Sequence, residues 1–171
     1  SLGSGVQAQL AATSDGGVYV AWLSDGNNYQ VYLQRLNSTG EPQWSDNGMV
    51  VSNNANASWI AVYHLNLSVD SEDNAIITTM DQRAGGAWEV YAYKIASDGT
   101  MLWGNDGVSL TSSSVSNMSP RLTVLPDNSV VVAWTHNDDT VLFQRISSDG
   151  ALLWDTGILI EDNDADLISP K

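Results

Sequence analysis

Short apolar runs, separated by polar and glycine-rich breaks, dominate this chain. Three runs match one another, at residues 18–22, 76–80 and 130–134, and each ends at a bulky side chain. This length is typical of a β-strand and too short for a helix, and no segment has the spacing of an amphipathic helix. The breaks supply Gly, Asn and Asp, which favour tight turns. The pattern therefore predicts strands joined by hairpins.

The runs belong to a longer unit that occurs three times. An Asp lies seven residues before the end of each run, at Asp15, Asp73 and Asp127. The next strand carries a basic residue at one repeat position, namely Arg35, Lys94 or Arg145. A Gly then precedes a Trp by four residues, at Gly40/Trp44, Gly99/Trp103 and Gly150/Trp154. The units cover about 6–58, 59–117 and 118–168, which makes 1–171 a single repeat domain.

Each unit is interpreted as four short antiparallel strands, which predicts an all-β, β-propeller-like fold with three blades. The alternative is a β-trefoil, although trefoil units are generally shorter and the usual Gln-any-Trp signature is missing. Ser119-Pro120-Arg121 opens the third unit, and a similar tripeptide occupies 169–171. We therefore expect a fourth unit truncated at 169–171, so that the propeller is partial or is completed by oligomerisation.

The repeat resembles a family of Trp-containing β-propeller repeats in large secreted bacterial surface proteins, many exported through a type IX-like route. The resemblance rests on the motifs at residues 81–92, 97–104 and 132–134 and covers residues 6–160. It implies a propeller fold and an extracellular or cell-surface location, and it offers no catalytic residues to transfer. The second unit departs from the pattern, with Met80 where the other units have Trp22 and Trp134.

Composition narrows the function classes. The net charge of −14, from 20 acidic and six basic residues, disfavours nucleic acid and anionic membranes as partners. Hydrophobic residues make up 43%, which excludes simple disorder. The absence of Cys excludes thiolate metal sites and Cys nucleophiles. No apolar run approaches the ~18 residues of a membrane span.

The repeated side chains are interpreted as structural. Large aromatics at fixed repeat positions predict packing between blades, although they could also form sugar-stacking platforms. This set comprises Trp22, Trp44, Trp103, Trp134 and Trp154. The repeated basic residues predict ion pairs or cation–π contacts with a neighbouring Trp, rather than a pocket for acidic ligands.

Aromatics outside the repeat are the better ligand candidates, because loops on a rigid scaffold often carry binding residues. Trp59 and Tyr63 lie in the connection 52–64, while Trp88 and Tyr29 follow turns. We predict that these four side chains contact a glycan or a protein. Anchoring of the loops explains them equally well.

Metal and catalytic signals are sparse. Asp162, Asp164 and Asp166 have the alternate spacing of a calcium loop, but Leu167 replaces the expected Gly. We therefore expect no required cofactor and no assigned metal ligand, with calcium binding as an option. His64 and His136 are isolated, and no catalytic motif accompanies them.

The sequence therefore favours a non-catalytic, extracellular structural or adhesive module of a larger surface protein, and not an enzyme. The alternative is a lectin-like carbohydrate-binding module, followed by a fragment of an enzyme acting on polysaccharides. The expected partners are further repeats, other copies of the chain, or a glycan.

Overall fold

The computed structural model describes residues 5–24, 29–54, 65–111, 114–162 and 170. Within these ranges the chain is all-β, and its strands form three four-stranded antiparallel sheets. The first sheet, blade 1, contains β1 (Gly5–Ala12), β2 (Val18–Ser24), β3 (Val31–Leu36) and β4 (Met49–Ser52). Blade 2 contains β5 (Asn66–Val69), β6 (Ala75–Asp81), β7 (Glu89–Ile95) and β8 (Val108–Ser109). Blade 3 contains β9 (Asn117–Val124), β10 (Val130–His136), β11 (Thr140–Ile146) and β12 (Ile158–Ile160).

Each blade is a meander whose strands pair in chain order. The first strands of successive blades are neighbours, because β1 contacts β5 and β5 contacts β9. These first strands form the inner edges of the blades, and the fourth strands lie outermost. This arrangement confirms the predicted all-β, three-bladed, propeller-like fold.

The core lies between blades. Tyr19, Ala21 and Leu23 on β2 pack against blade 2, where Ile77 and Tyr93 are fully buried. On the opposite face of blade 2, Ile76 packs against Val130, Val132 and Trp134 of blade 3. We call the face that meets the following blade the forward face and the other the backward face. Successive strand residues alternate between these faces, which is why the apolar runs are continuous in blade 2.

The strand register corrects one alignment made from sequence. The β6–β7 hairpin pairs Ala75 with Ile95 and Thr79 with Tyr91, as β2–β3 pairs Val18 with Leu36 and Trp22 with Tyr32. Thr79 therefore occupies the Trp position in blade 2, and Met80 lies one residue beyond it on the opposite face. Counting seven residues from Asp73 was wrong, because Glu72 is the residue that matches Asp15.

The turns between first and second strands join neighbouring blades. The backbone N–H and the hydroxyl of Ser14 donate to the Asp73 carboxylate at 2.8 and 2.5 Å. Ser71 repeats the contact one blade later, donating to Asn128 Oδ1 at 3.1 and 2.9 Å. Asp73 and Asn128 both have a positive φ, near 60°, which Asp and Asn tolerate better than most residues. We call this contact the turn clamp.

The Trp of the Gly–Trp pair makes a second contact between blades. Trp44 Nε1 donates to the Ser97 carbonyl of blade 2, and Trp103 Nε1 donates to the Ser148 carbonyl of blade 3. A Cβ atom at Gly150 would lie 2.9 Å from Trp103 Cδ1, so the glycine makes room for the indole. Packing between blades is therefore the role of Trp44, Trp103 and Trp134. Trp22 instead stacks on Tyr32 within its own blade, with ring centroids 5.6 Å apart.

The repeated basic residues form ion pairs within their blades, as predicted. Arg35 pairs with Asp15 and Arg145 with Asp127, both at 2.6 Å. In blade 2 the equivalent Lys94 pairs with Asp70 at 2.9 Å, and both side chains are buried. The cation–π contact of Arg35 is with Tyr19 rather than with a Trp.

Candidate functional site

The two ends of the blades differ in character. One end carries the turn clamps and the hairpins that receive Trp44 and Trp103, and we call it the turn end. The opposite end, the loop end, carries the connections between second and third strands, at 25–30, 82–88 and 137–139. Because these connections differ in length and sequence, the loop end is where a ligand site is expected.

Two of the four predicted ligand residues lie at the loop end. Tyr29 has a positive φ of 41° and is half-buried against the core between blades 1 and 2. Trp88 is also half-buried, and its carbonyl accepts from the backbone N–H of Asn117 at 2.9 Å. Both residues therefore help to anchor their loops, as the alternative explanation predicted. Trp59 and Tyr63 lie outside the described residues.

A cleft of about 560 Å³ opens between blades 2 and 3. Its apolar lining includes Leu142 and Leu159, which pair across β11 and β12 on the backward face of blade 3. Leu110 and Thr111 of blade 2 form the facing wall, and Asn117, His136 and Asp155 add polar groups. The cleft thus combines an apolar surface with polar groups of several kinds.

Asn117 organises the loop end of the cleft. Its Oδ1 accepts the indole N–H of Trp134 at 2.9 Å and lies 2.8 Å from His136 Nδ1. Its Nδ2 donates to the Val115 carbonyl at 2.9 Å, which fixes the orientation of the amide. Because an amide oxygen only accepts, His136 Nδ1 carries a proton in this contact, and Nε2 of the neutral ring is an acceptor.

The other end of the cleft is built on Gln144. Its Oε1 accepts from the backbone N–H groups of Arg145 and Trp154, and its Nε2 donates to the Asp155 carbonyl at 3.3 Å. Gln34 makes the matching bonds in blade 1, so this glutamine is a structural part of the repeat. It holds the segment that presents the exposed Asp155 carboxylate. Asp155 is the one carboxylate among the described residues that line the cleft.

A second polar cluster stiffens the loop of blade 2 that leads to Trp88. Arg83 pairs with Asp81 at 2.7 Å, and its guanidinium lies 3.4 Å from the Tyr91 ring centroid. Arg83 Nη2 also donates to the Tyr93 hydroxyl at 2.6 Å. Burial, together with the hydrogen bond to Glu89, raises the pKa of Tyr91 above its ordinary value. The cluster uses its polar groups internally, so its role is structural.

Sequence reasoning set His136 aside as isolated and did not single out Asn117. The β9–β10 hairpin places the two residues directly opposite each other. Aligning the hairpin would have revealed this pair, but neither residue belongs to a repeated position.

Among the described residues, no group of three or more His, Asp or Glu side chains is arranged to hold a metal ion. Asp162 is described, while Asp164 and Asp166 are not, so calcium binding there stays a prediction. No helix in the described ranges is long and apolar enough to cross a membrane.

No protein-family model and no curated protein matches this chain. Among solved structures, the chain is similar to the endo-arabinase from Bacteroides thetaiotaomicron, with 16% identity and a TM-score of 0.51. The match covers 92% of this chain and 62% of that one, so this chain spans less than two thirds of the enzyme's length. At this identity the similarity establishes a shared fold.

This match contradicts the expectation that the chain is not an enzyme, because a solved protein that shares its fold is one. A propeller-like fold without recognisable catalytic motifs is no argument against catalysis. The carbohydrate-binding alternative is closer to the finding than the structural or adhesive interpretation. The similarity thus places this chain among all-β, propeller-like folds.

Proposed function

We propose that this chain is a carbohydrate-directed domain that binds a saccharide in the cleft between blades 2 and 3. The observation that carries the proposal is the cleft lining, in which Leu142 and Leu159 lie beside the oriented Asn117–His136 pair. The similarity to an endo-arabinase supports it, because a fold of this kind already serves an enzyme named for a carbohydrate.

The chemistry of the lining suits a sugar. A pyranose or furanose ring has C–H groups that pack on leucine side chains and hydroxyls that need both donors and acceptors. His136, Thr111 and Asp155 supply such groups around the apolar surface. The volume of the cleft lies within the range of about 300–1,000 Å³ that small-molecule sites occupy.

Charge selects the class of saccharide. With a net charge of −14, the protein repels uronic acids and sulfated sugars at long range. A neutral glycan is not repelled in this way, and arabinose polymers are neutral. A branched or linear arabino-oligosaccharide is therefore the first ligand to test.

Titration calorimetry with neutral arabino-oligosaccharides tests the binding site. We expect Leu159→Ser to weaken binding about tenfold, because it removes an apolar contact worth about 1–2 kcal/mol. Leu102→Ser is the matched control, since Leu102 is also an exposed leucine but does not line the cleft. Equal affinity of both variants, or no binding to any neutral glycan, would contradict the proposal.

Glycan cleavage is a second candidate, favoured by the fold similarity. Hydrolysis of glycosidic bonds generally uses two carboxylates about 5–9.5 Å apart. Asp155 is the carboxylate that the described cleft offers for one of these roles. Release of reducing ends from an arabinose polymer, abolished by Asp155→Asn while binding persists, would establish the activity.

The loop aromatics and the extracellular location stay part of this proposal as predictions. Trp88 and Tyr29 extend sugar contacts beyond the cleft at the loop end, and Trp59 and Tyr63, outside the described residues, stay predicted ligand contacts. Replacing Trp88 with Ala and measuring affinity for longer oligosaccharides separates such a contact from loop anchoring, because anchoring would alter stability rather than the dependence on chain length.

A further inference from the structure

The contacts between blades follow one pattern, and that pattern leaves complementary groups at the two ends of the array. Trp44 of blade 1 reaches the Ser97–Gly99 hairpin of blade 2, and Trp103 reaches the Ser148–Gly150 hairpin of blade 3. Trp154 is the equivalent residue of blade 3. Its indole N–H has no hydrogen-bond acceptor within the part of the chain that the structure describes.

The matching receptor lies on blade 1. Gly40 occupies the position of Gly99 and Gly150 and shares their positive φ, 84° against 89° and 96°. A Cβ atom at Gly40 would meet no described atom within 4 Å, whereas Gly99 and Gly150 contact an indole. The hairpin at Ser38–Gly40 is thus shaped like the two occupied receptors and is empty.

The apolar surfaces beside these groups are complementary too. On the forward face of blade 3, Ile158 and Ile160 are 48% and 47% exposed. On the backward face of blade 1, Leu10 is 67% exposed, while its equivalents Leu67 and Leu122 pack against the core between blades. Both faces therefore expose side chains at positions that the internal contacts cover.

We infer that the forward face of blade 3 docks on the backward face of blade 1 in a second copy of this chain, with Trp154 seated on the Ser38–Gly40 hairpin. The internal contacts between blades, seen twice, are the template for this interface. It joins different surfaces of the two copies, so two such contacts close a ring of two chains.

One element of the internal contacts is missing from this interface. Pro126 occupies the position of Ser14 and Ser71, and it has neither an N–H group nor a hydroxyl. Gly16 occupies the position of Asp73 and Asn128 and has no acceptor side chain. The docked interface therefore lacks the turn clamp, and we expect it to be weaker than the contacts within the chain and to dissociate on dilution.

Sedimentation of the whole chain over a range of concentrations tests the inference. We expect a reversible dimer for the unmodified protein. Trp154→Ala removes the inserted side chain, and Gly40→Asn fills the receptor with a residue that tolerates positive φ. Each variant alone should sediment as a monomer. An equimolar mixture should form a heterodimer through one of the two contacts, because Trp154 of the Gly40→Asn chain meets the intact Ser38–Gly40 hairpin of the Trp154→Ala chain. This heterodimer should be weaker than the dimer of the unmodified protein.

A second variant tests the same interface by strengthening it. Pro126→Ser with Gly16→Asn supplies the donor and acceptor of the turn clamp, and should lower the dimer dissociation constant about tenfold. Circular dichroism verifies that each variant is folded. A monomer at every concentration for both the unmodified and the clamped protein would overturn the inference. Dimerisation of Trp154→Ala as strong as that of the unmodified chain would also overturn it.

Discussion

At the scale of single residues, the three related ion pairs show how exposure changes the value of one interaction. In the Arg35–Asp15 and Arg145–Asp127 pairs the carboxylate is exposed, so solvent screens the attraction and the pair contributes little to stability. Lys94–Asp70 is buried, and Lys94 also donates to the Ser148 carbonyl of blade 3 at 3.2 Å. The buried pair therefore links the stability of blade 2 to its contact with blade 3.

Removing one partner of the buried pair should be costly. We expect Lys94→Met to lower the free energy of unfolding by about 3–5 kcal/mol, because it leaves the Asp70 charge buried without its cation. Arg145→Met is the matched control, at the same repeat position, and should cost about 1 kcal/mol or less. Urea denaturation measures both. Equal losses of unfolding free energy in the two variants would show that burial does not determine how much the ion pair contributes to stability.

The same pair predicts how stability depends on pH. Burial alone would raise the pKa of Asp70, but hydrogen bonds from Asn74 and Lys94 outweigh burial and hold the pKa below its ordinary value. The pair therefore stabilises the fold above the unfolded pKa of about 4, and this stability is lost as the pH falls through the folded pKa. Consequently, the difference in unfolding free energy between the unmodified protein and Asp70→Asn should shrink in acid.

At the scale of strands and hairpins, the Gly–Trp pair connects each blade to the next. The sequence spacing identified this pair and its packing role, because all three units keep Gly and Trp four residues apart. The spacing could not reveal that the partner glycine belongs to the following blade. The one-residue error at Met80 has a similar origin. Blade 2 has Thr79 where the other blades have Trp22 and Trp134, so no aromatic residue marks the register there.

The three equivalent tryptophans should differ in their contribution to stability. Trp103→Ala removes a side chain that is 8% exposed, and we expect a loss of about 3–5 kcal/mol in the free energy of unfolding. Trp154→Ala, measured at concentrations where the chain is monomeric, should lose less than about 1 kcal/mol, because no described blade covers it. Thermal or urea unfolding compares them, and an equal loss for Trp154→Ala would contradict the packing argument.

At the scale of the whole molecule, blade 2 differs from its neighbours because both of its faces are covered. Every residue of β6 is buried, whereas every residue of β12 is exposed. Sequence patterning anticipated an array of three propeller-like blades. It could not locate the cleft, since Ser109–Thr111 and His136 come from different units and meet only through the packing of blade 3 on blade 2.

Hydrogen exchange should reveal this gradient along the array. We expect the amides of β6 and β7 to exchange most slowly, because opening them requires separation of two packed faces. The amides of β12 should exchange fastest among the described strands of blade 3. If mass spectrometry found blade 1 or blade 3 protected more strongly than blade 2, the outer blades would be stabilised by something beyond the contacts within one chain.

Both turn clamps lie at the turn end, and this limits where the sequence of the protein can change in length. The turns that carry them have the same length in every blade, at 13–17, 70–74 and 125–129. The connections at the opposite end are unequal in length, with seven residues at 82–88 and three at 137–139. New recognition segments can therefore be grafted at 137–139 while the scaffold is preserved. An insertion at 70–74 would instead separate two blades, so that the capacity of this fold to acquire new specificities is confined to one of its ends.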